Sequence, residues 1–312
     1  MKSKIIITVI SFFIFISWNT SEYHSSNKIL EEQIVWQGIK RTFLVHVPKN
    51  TNSNASLPIL FNLHGGGGNA RQAISATFGR FNRLADDNGF IVVYPNAINK
   101  NWNDGRLASS KPGQEDIDDV GFIDEIIKHL SHSYKIDHNR IYTSGISNGG
   151  FMSSRLLCDR AHVFSGGAIL AATLSNDYLS RCNPLESTSV LIMNGTHDKI
   201  VPYEGGQVVV LNKPRGKEIA STKDLIEFWK SSNNCSSTAE VLKLPNRKKF
   251  DGTTVRIEEY SRCDNDVSLA LFKIVGGGHT WPGGRQYLPR KMVGNTTREI
   301  NACDEIVKFF QL

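Results

Sequence analysis

The chain offers no foothold for metal or redox chemistry. None of its five cysteines stands in C-x-x-C spacing, and no His/Cys cluster has the spacing of a zinc ligand set. It also lacks internal repeats, low-complexity linkers and any abrupt change of composition, so solenoids, arrays and long disordered tails are excluded. A G-x-x-x-x-G-K-[ST] phosphate loop is missing, so the glycine run at 65–68 is not of the nucleotide-binding kind. The excess positive charge is small, +6, and its local clusters (Arg247, Lys248 and Lys249; Lys213, Arg215 and Lys217) have no nucleic-acid motif beside them. No nucleic-acid partner is expected, and a mildly basic surface has at most an affinity for acidic polysaccharide.

The one long apolar run, residues 5–16, is short for a membrane span. It follows Lys2 and Lys4, the order of a charged n-region and an apolar h-region, so residues 1–18 are expected to be an export signal. Small residues at Ser17, Thr20, Ser21 and Ser25 make no clean A-x-A cleavage site, and no cysteine follows to carry a bacterial lipid anchor. Left uncleaved, the segment would tether the protein to a membrane; otherwise the product is secreted or periplasmic. Residues 19–29 are polar and expected to be loose.

The remainder, 30–312, suits one large α/β domain. The whole chain is 40% hydrophobic and 21% charged, enough for a packed core. Residues 33–36 and 41–47 alternate around Gly38 and read as a hairpin. The unbroken apolar run 58–63 reads as a strand covered on both faces. Helix is expected over 71–87, 116–134, 150–157, 222–229 and 304–310, and strand over 90–95, 140–143, 164–172, 190–194, 254–260 and 268–275. Alternating strands and helices imply a mostly parallel sheet with helices on both faces.

Gly145-Ile146-Ser147-Asn148-Gly149 lies between a strand and a helix, the setting of a nucleophile elbow. A serine hydroxyl attacks only when a base reaches it, and a sharp strand-to-helix turn lifts it clear of the sheet. Ser147, Asp198 and His279 each follow an expected strand, and they occur in the nucleophile–acid–base order of α/β-hydrolases. In a parallel sheet those positions share one edge. Glu204 is the rival acid, and His64 is read as ordering the glycine turn. An oxyanion needs fixed N–H donors: Asn148, next to the nucleophile, and Gly66, with Gly67 as second choice, are the candidates. Trp281 and Trp102 are candidate stacking surfaces for an aromatic acyl or sugar group, Trp281 equally a core residue. In an exported chain two disulfides and one spare thiol fit the five cysteines, and connectivity stays open on spacing alone.

Taken together, the segments 63–67, 118–122, 145–150, 195–203 and 277–283 resemble the polyhydroxybutyrate depolymerase-like esterases, which sit beside the feruloyl and acetylxylan esterases of carbohydrate esterase family 1. The resemblance runs from about residue 30 to 311. It implies a secreted serine esterase without metal or cofactor, with Ser147 as nucleophile, Asp198 as acid and His279 as base. It further implies disulfides Cys158–Cys182 and Cys235–Cys263, a spare Cys303, and a structural role for Asp119 near the elbow. Depolymerases of solid polyester usually add a linker and a binding domain, which these residues do not show, so the expected substrates are soluble hydroxyalkanoate oligomers or feruloyl and acetyl esters on plant polysaccharide. A peptidase of the same fold and a non-catalytic carbohydrate-binding protein are the alternatives. Specificity is assigned to the loops 96–115, 205–221 and 281–296.

Overall fold

The computed structural model describes residues 29–49, 55–106 and 116–312. The expected export signal, most of the 19–29 segment and part of the 96–115 loop lie outside them.

Ten strands form one sheet. In chain order they are β1 Ile29–Trp36, β2 Ile39–His46, β3 Leu57–Leu63, β4 Ile91–Pro95, β5 Ile136–Ile146, β6 Gly166–Leu170, β7 Ser189–Gly195, then β10 Ala239–Lys243, β11 Thr254–Tyr260 and β12 Leu269–Val275. Strands β8 Gly206–Val210 and β9 Lys213–Ile219 pair with each other in a separate two-stranded sheet, and Ile219 also bridges to Ser175. The large sheet runs β1-β2-β4-β3-β5-β6-β7-β12-β11-β10. Its centre, β4 through β12, is parallel, and hairpins add antiparallel edges on both sides.

Helices cover both faces because the central strands are apolar on both. Along β3 the side chains of Ile59, Phe61 and Leu63 enter one core with helices Asp119–Ser131 (α3), Asn148–Asp159 (α4) and Thr222–Ser232 (α6). Leu60, between them, joins the other core with Ala70–Ala76 (α1), Arg80–Asn88 (α2) and Ala302–Phe310 (α8). Burying both faces of a strand is the reason its sequence does not alternate. The outermost strands carry Glu31, Glu32 and Glu240, and charge on an edge discourages pairing with another chain.

Several elements differ from expectation. Strand β1 begins at Ile29, so the polar stretch up to Trp36 is an edge strand from its first described residue, bonded in register to β2. The helix expected over 71–87 is two helices, parted at Phe78 and Gly79, whose φ angles of 52° and 63° no α-helix accepts. Strands β8, β9 and β10 arise where none was expected; β9 and β10 are mostly polar and exposed, and β8 is a short half-buried segment that sends only Val208 into the core.

The C-terminal ends of the parallel strands lie along one edge. Residues 64–68 leave β3 there, Ser147 leaves β5, Asp198 follows β7 and His279 follows β12. The stretch after β12 then doubles back over this edge. Gly277 bridges to Asn295, Gly283 N–H donates to Thr297 O at 2.9 Å, and Arg285 N–H donates to Ala76 O at 2.9 Å, at the end of α1.

Candidate active site

Strand β5 ends at Ile146 and α4 begins at Asn148, which leaves a single residue for the reversal. Ser147 makes it at φ 57° and ψ −128°, a conformation that costs a non-glycine residue about 1–3 kcal/mol. Two backbone bonds hold it there: Ser147 N–H donates to Leu170 O, and Phe151 N–H to Ser147 O, both at 2.9 Å. The flanking glycines are demanded by close approach. A methyl on Gly145 would stand 2.3 Å from Gly149 O, and one on Gly149 2.3 Å from Leu63 O. The Ser147 side chain is half-buried at the edge of the sheet and caps no helix N–H.

The glycine run lies against this turn. A methyl on Gly65 would be 3.6 Å from Ser147 Cβ, and one on Gly66 3.6 Å from Asn148 Cβ. Gly67 N–H is already spent on Lys100 O at 2.8 Å, and Gly68 N–H on Gly65 O at 3.0 Å. Among the described residues no acceptor takes the Gly66 N–H or that of Asn148, the first of α4. Two unclaimed N–H groups beside a serine at a helix N-terminus suit a developing negative charge. His64 orders the turn, as expected. Ala97 N–H donates to His64 Nε2 at 3.2 Å, so the proton sits on Nδ1 and donates to Gly65 O at 2.8 Å. Burial holds the imidazole below its ordinary pKa and keeps it neutral.

Trp102 is not a stacking surface. It is fully buried, and its indole N–H donates to His64 O at 2.9 Å. Its backbone instead clamps the residue after Ser147: Trp102 N–H donates to Asn148 Oδ1 at 2.7 Å, and Asn148 Nδ2 donates to Trp102 O at 3.1 Å. The second Nδ2 donor reaches Asp104 Oδ2 at 2.6 Å, and Asp104, 2% exposed, is paired with Arg106 at 2.6 Å. Arg106 in turn lies 3.8 Å from the centre of the Phe151 ring. Next to this, Asp119 accepts from Arg41 at 2.6 Å and from Asn103 N–H at 2.7 Å, which fastens the loop before the clamp. Asp104 and Arg106 were missed by sequence reasoning. They lie in a polar loop without periodicity, and only the fold shows that Asp104 is buried.

The side chains of Asp198 and His279 meet. His279 Nδ1 and Asp198 Oδ2 are 2.7 Å apart, with side chains 4% and 2% exposed. Ile200 and Val201 N–H groups donate to Asp198 Oδ1 at 2.8 and 2.9 Å, so both carboxylate oxygens are occupied. A carboxylate only accepts, so Nδ1 carries the proton and Nε2 is left as the basic nitrogen. His279 N–H donates to Val293 O at 2.6 Å, which ties the base to the returning stretch. Glu204, the rival acid, is exposed and makes no bond to His279. No hydrogen bond joins Ser147 Oγ to His279 in this structure.

Trp281 packs in the core. It is 4% exposed and meets the Phe81 ring edge-on, with centroids 5.8 Å apart. The Cys303 thiol is buried beside it, and burial pushes that thiol far above its ordinary pKa, so it is inert. Tyr287, near the site, is 46% exposed, and partial burial of the phenol together with the charge of Asp198 pushes its hydroxyl up in pKa. Both disulfides are formed, Cys158–Cys182 from the end of α4 and Cys235–Cys263 from the end of α6. Closing loops of 24 and 28 residues stabilises the fold by about 3 kcal/mol each in the chain-entropy account.

Comparison with known proteins agrees with this architecture. Residues 42–201 match the family model described as Esterase PHB depolymerase. "Putative esterase NocK" of Nocardia uniformis subsp. tsuyamanensis is 27% identical over 89% of this chain and 81% of its own length. Feruloyl esterase B of Piromyces equi is 29% identical over 78% of this chain but only 44% of its own, so the chain spans less than half of that larger protein. Among solved structures, the acetyl xylan esterase from Aspergillus awamori superposes with a TM-score of 0.57 over 90% of this chain and 99% of its own, at 12% identity, a likeness of fold alone. The expected α/β-hydrolase fold is therefore observed. A family match over half the chain, joined to this sheet, makes the protein a serine carboxylic ester hydrolase that belongs to the PHB depolymerase esterase family.

Proposed function

We propose that Ser147, His279 and Asp198 carry out ester hydrolysis through an acyl-serine intermediate, with the N–H groups of Gly66 and Asn148 as the oxyanion hole. The observation that carries this reading is the buried 2.7 Å His279–Asp198 pair, on the sheet edge that also presents the strained Ser147. His279 Nε2 takes the Ser147 proton as Oγ attacks the acyl carbon, and Asp198 stabilises the imidazolium. The carbonyl oxygen, now anionic, is held by the two free N–H groups, each typically worth about 3 kcal/mol. His279 returns the proton to the departing alcohol. Water, deprotonated by the same imidazole, then attacks the acyl-enzyme and releases the acid.

The substrates we propose are feruloyl or acetyl esters on plant polysaccharide, or soluble hydroxyalkanoate oligomers. Relatives named for feruloyl ester chemistry support the first, and the family description supports the second. We also propose that the protein is exported; two disulfides favour an oxidising compartment, and among the described residues no helix is long and apolar enough to cross a membrane. Labelling with a fluorophosphonate followed by peptide mapping tests the nucleophile. Modification at Ser147, with p-nitrophenyl acetate turnover abolished in Ser147→Ala, is expected. Retained turnover in that variant removes the assignment.

A further inference from the structure

Charge is not spread evenly over the chain. The stretches 196–219 and 276–298 hold eight of the 36 basic residues and only three of the 30 acidic ones, so they carry +5 of the net +6. These are the two stretches that follow the proposed acid and base. One of the three acids is Asp198 itself, buried against His279.

Both stretches border the sheet edge that carries Ser147, Asp198 and His279. Val209 of β8 donates its N–H to Ile200 O at 3.0 Å, two residues beyond Asp198. On the other side of the same hairpin, a methyl on Gly216 would lie 3.9 Å from Arg106 Cβ, next to the Asp104–Asn148 clamp. The β8–β9 hairpin thus runs from the acid to the residue after the nucleophile, and it carries Lys213, Arg215 and Lys217. Across the base, Lys199 Nζ donates to Lys291 O at 3.0 Å, and Val293 accepts the His279 N–H. That brings Lys199, Arg290 and Lys291 together, all exposed, beside the imidazole. Lys217 is paired with Asp177, whereas Lys199, Lys213, Arg215, Arg290 and Lys291 form no ion pair among the described residues. Neutral sugars are commonly gripped by aromatic stacking, yet Trp102 and Trp281 are both buried, which leaves the half-exposed Tyr287 on one rim as a lone ring among cations.

We infer that the two rims form a binding subsite for carboxylates, and that the natural ester is borne on an acidic, uronate-containing polysaccharide. The inference rests on the esterase reading above and refines its substrate. A polymer with carboxylates repeated along its length can engage both rims while its ester lies at Ser147. A monocarboxylate, such as a short hydroxyalkanoate oligomer, engages only one. Fields focused by a cleft of one sign raise association rates by about 10–1,000-fold and are screened by salt.

The test compares kcat/KM of the full protein on O-acetylated oligogalacturonate, O-acetylated xylo-oligomers and a hydroxybutyrate trimer, from about 20 to 500 mM NaCl, where the screening length shrinks several-fold. The acidic oligomer is expected to be preferred over the neutral one by about tenfold or more at low salt, and by less than about twofold at high salt. Lys213→Glu/Arg215→Glu/Arg290→Glu should erase the preference. Lys135→Glu/Arg140→Glu, at the opposite edge of the sheet, should leave it in place. Equal rates on the acidic and neutral oligomers without salt dependence, a greater preference for the trimer, or a preference that survives the triple reversal would each overturn the inference. If p-nitrophenyl acetate is still hydrolysed in such a case, the esterase reading stands alone. If no ester is hydrolysed, both fall.

Discussion

The Ser147 half of the proposed site and the His279–Asp198 half are built by opposite means. Around Ser147 everything is short: one residue turns the chain, glycines on either side admit neighbouring backbone, and the clamp from Trp102 and Asp104 holds Asn148 by three hydrogen bonds. Around His279 everything is long. The base follows β12, its partner follows β7, and its backbone is fixed by Val293 far along the returning stretch. Local strain fixes the first half. Loop closure fixes the second, through the bonds of Asp198 to Ile200 and Val201 and of His279 to Val293.

If the halves differ in this way, they break differently. Asp198→Asn should leave the fold intact and lower kcat by about 10,000-fold, because the amide holds the imidazole in the wrong tautomer; steady-state kinetics beside a circular dichroism spectrum measure both. Gly149→Ala strikes the rigid half. Its methyl meets Leu63 O at 2.3 Å, and overpacking of this kind typically costs about 1–3 kcal/mol, read as a lower urea midpoint. The opposite pattern, a stable Gly149→Ala and an unfolded Asp198→Asn, would reverse the comparison. Asp104→Asn tests whether the clamp positions the oxyanion donor. It should lower kcat by about tenfold with KM nearly unchanged, since a small misplacement of a catalytic group is felt mainly in the transition state. An unchanged kcat would make the Asp104–Arg106 pair purely structural.

The His64 turn gives a pH signature. The folded imidazole has a pKa below its ordinary 6.5, so above that value both folded and unfolded chains are neutral and stability is full. Below it the unfolded chain binds a proton that the fold resists, and stability falls until the folded value is reached. The urea midpoint of the wild type should therefore drop between pH 7.5 and 5.5 by more than that of His64→Gln, with a difference of about 1 kcal/mol for each pH unit of depression. The mildest change is Trp281→Phe. For a core residue it should cost about 1–2 kcal/mol and leave KM for a feruloyl ester unmoved; a raised KM would restore Trp281 as a stacking surface.

The same contrast explains what could be read in advance. Ser147, Asp198 and His279 stood out because each follows an apolar strand run, and burial on both faces makes such runs easy to find. Gly66 was favoured over Gly67 before the structure showed that Gly67 N–H is engaged with Lys100. The break between α1 and α2 was hidden because Phe78 continues an apolar pattern while its φ of 52° does not continue a helix. Asp104 was hidden because burial of a loop carboxylate depends on an arginine two residues away and an asparagine on another element. Trp102 is misread, and Trp281 left open between stacking and core, for a related reason: a lone aromatic beside a site has no periodicity to show which way it faces.

The stretch that delivers His279 also fastens itself to α1, through Arg285 and Ala76. It is thus a strap anchored at both ends of the sheet edge, with the imidazole near one buckle. A redesign that lengthens the strap near residue 279 would slacken the base away from the serine. Between the Arg285 anchor and the Val293 contact, chain can be added outward, so cleft shape and basicity are open to variation there without loss of alignment.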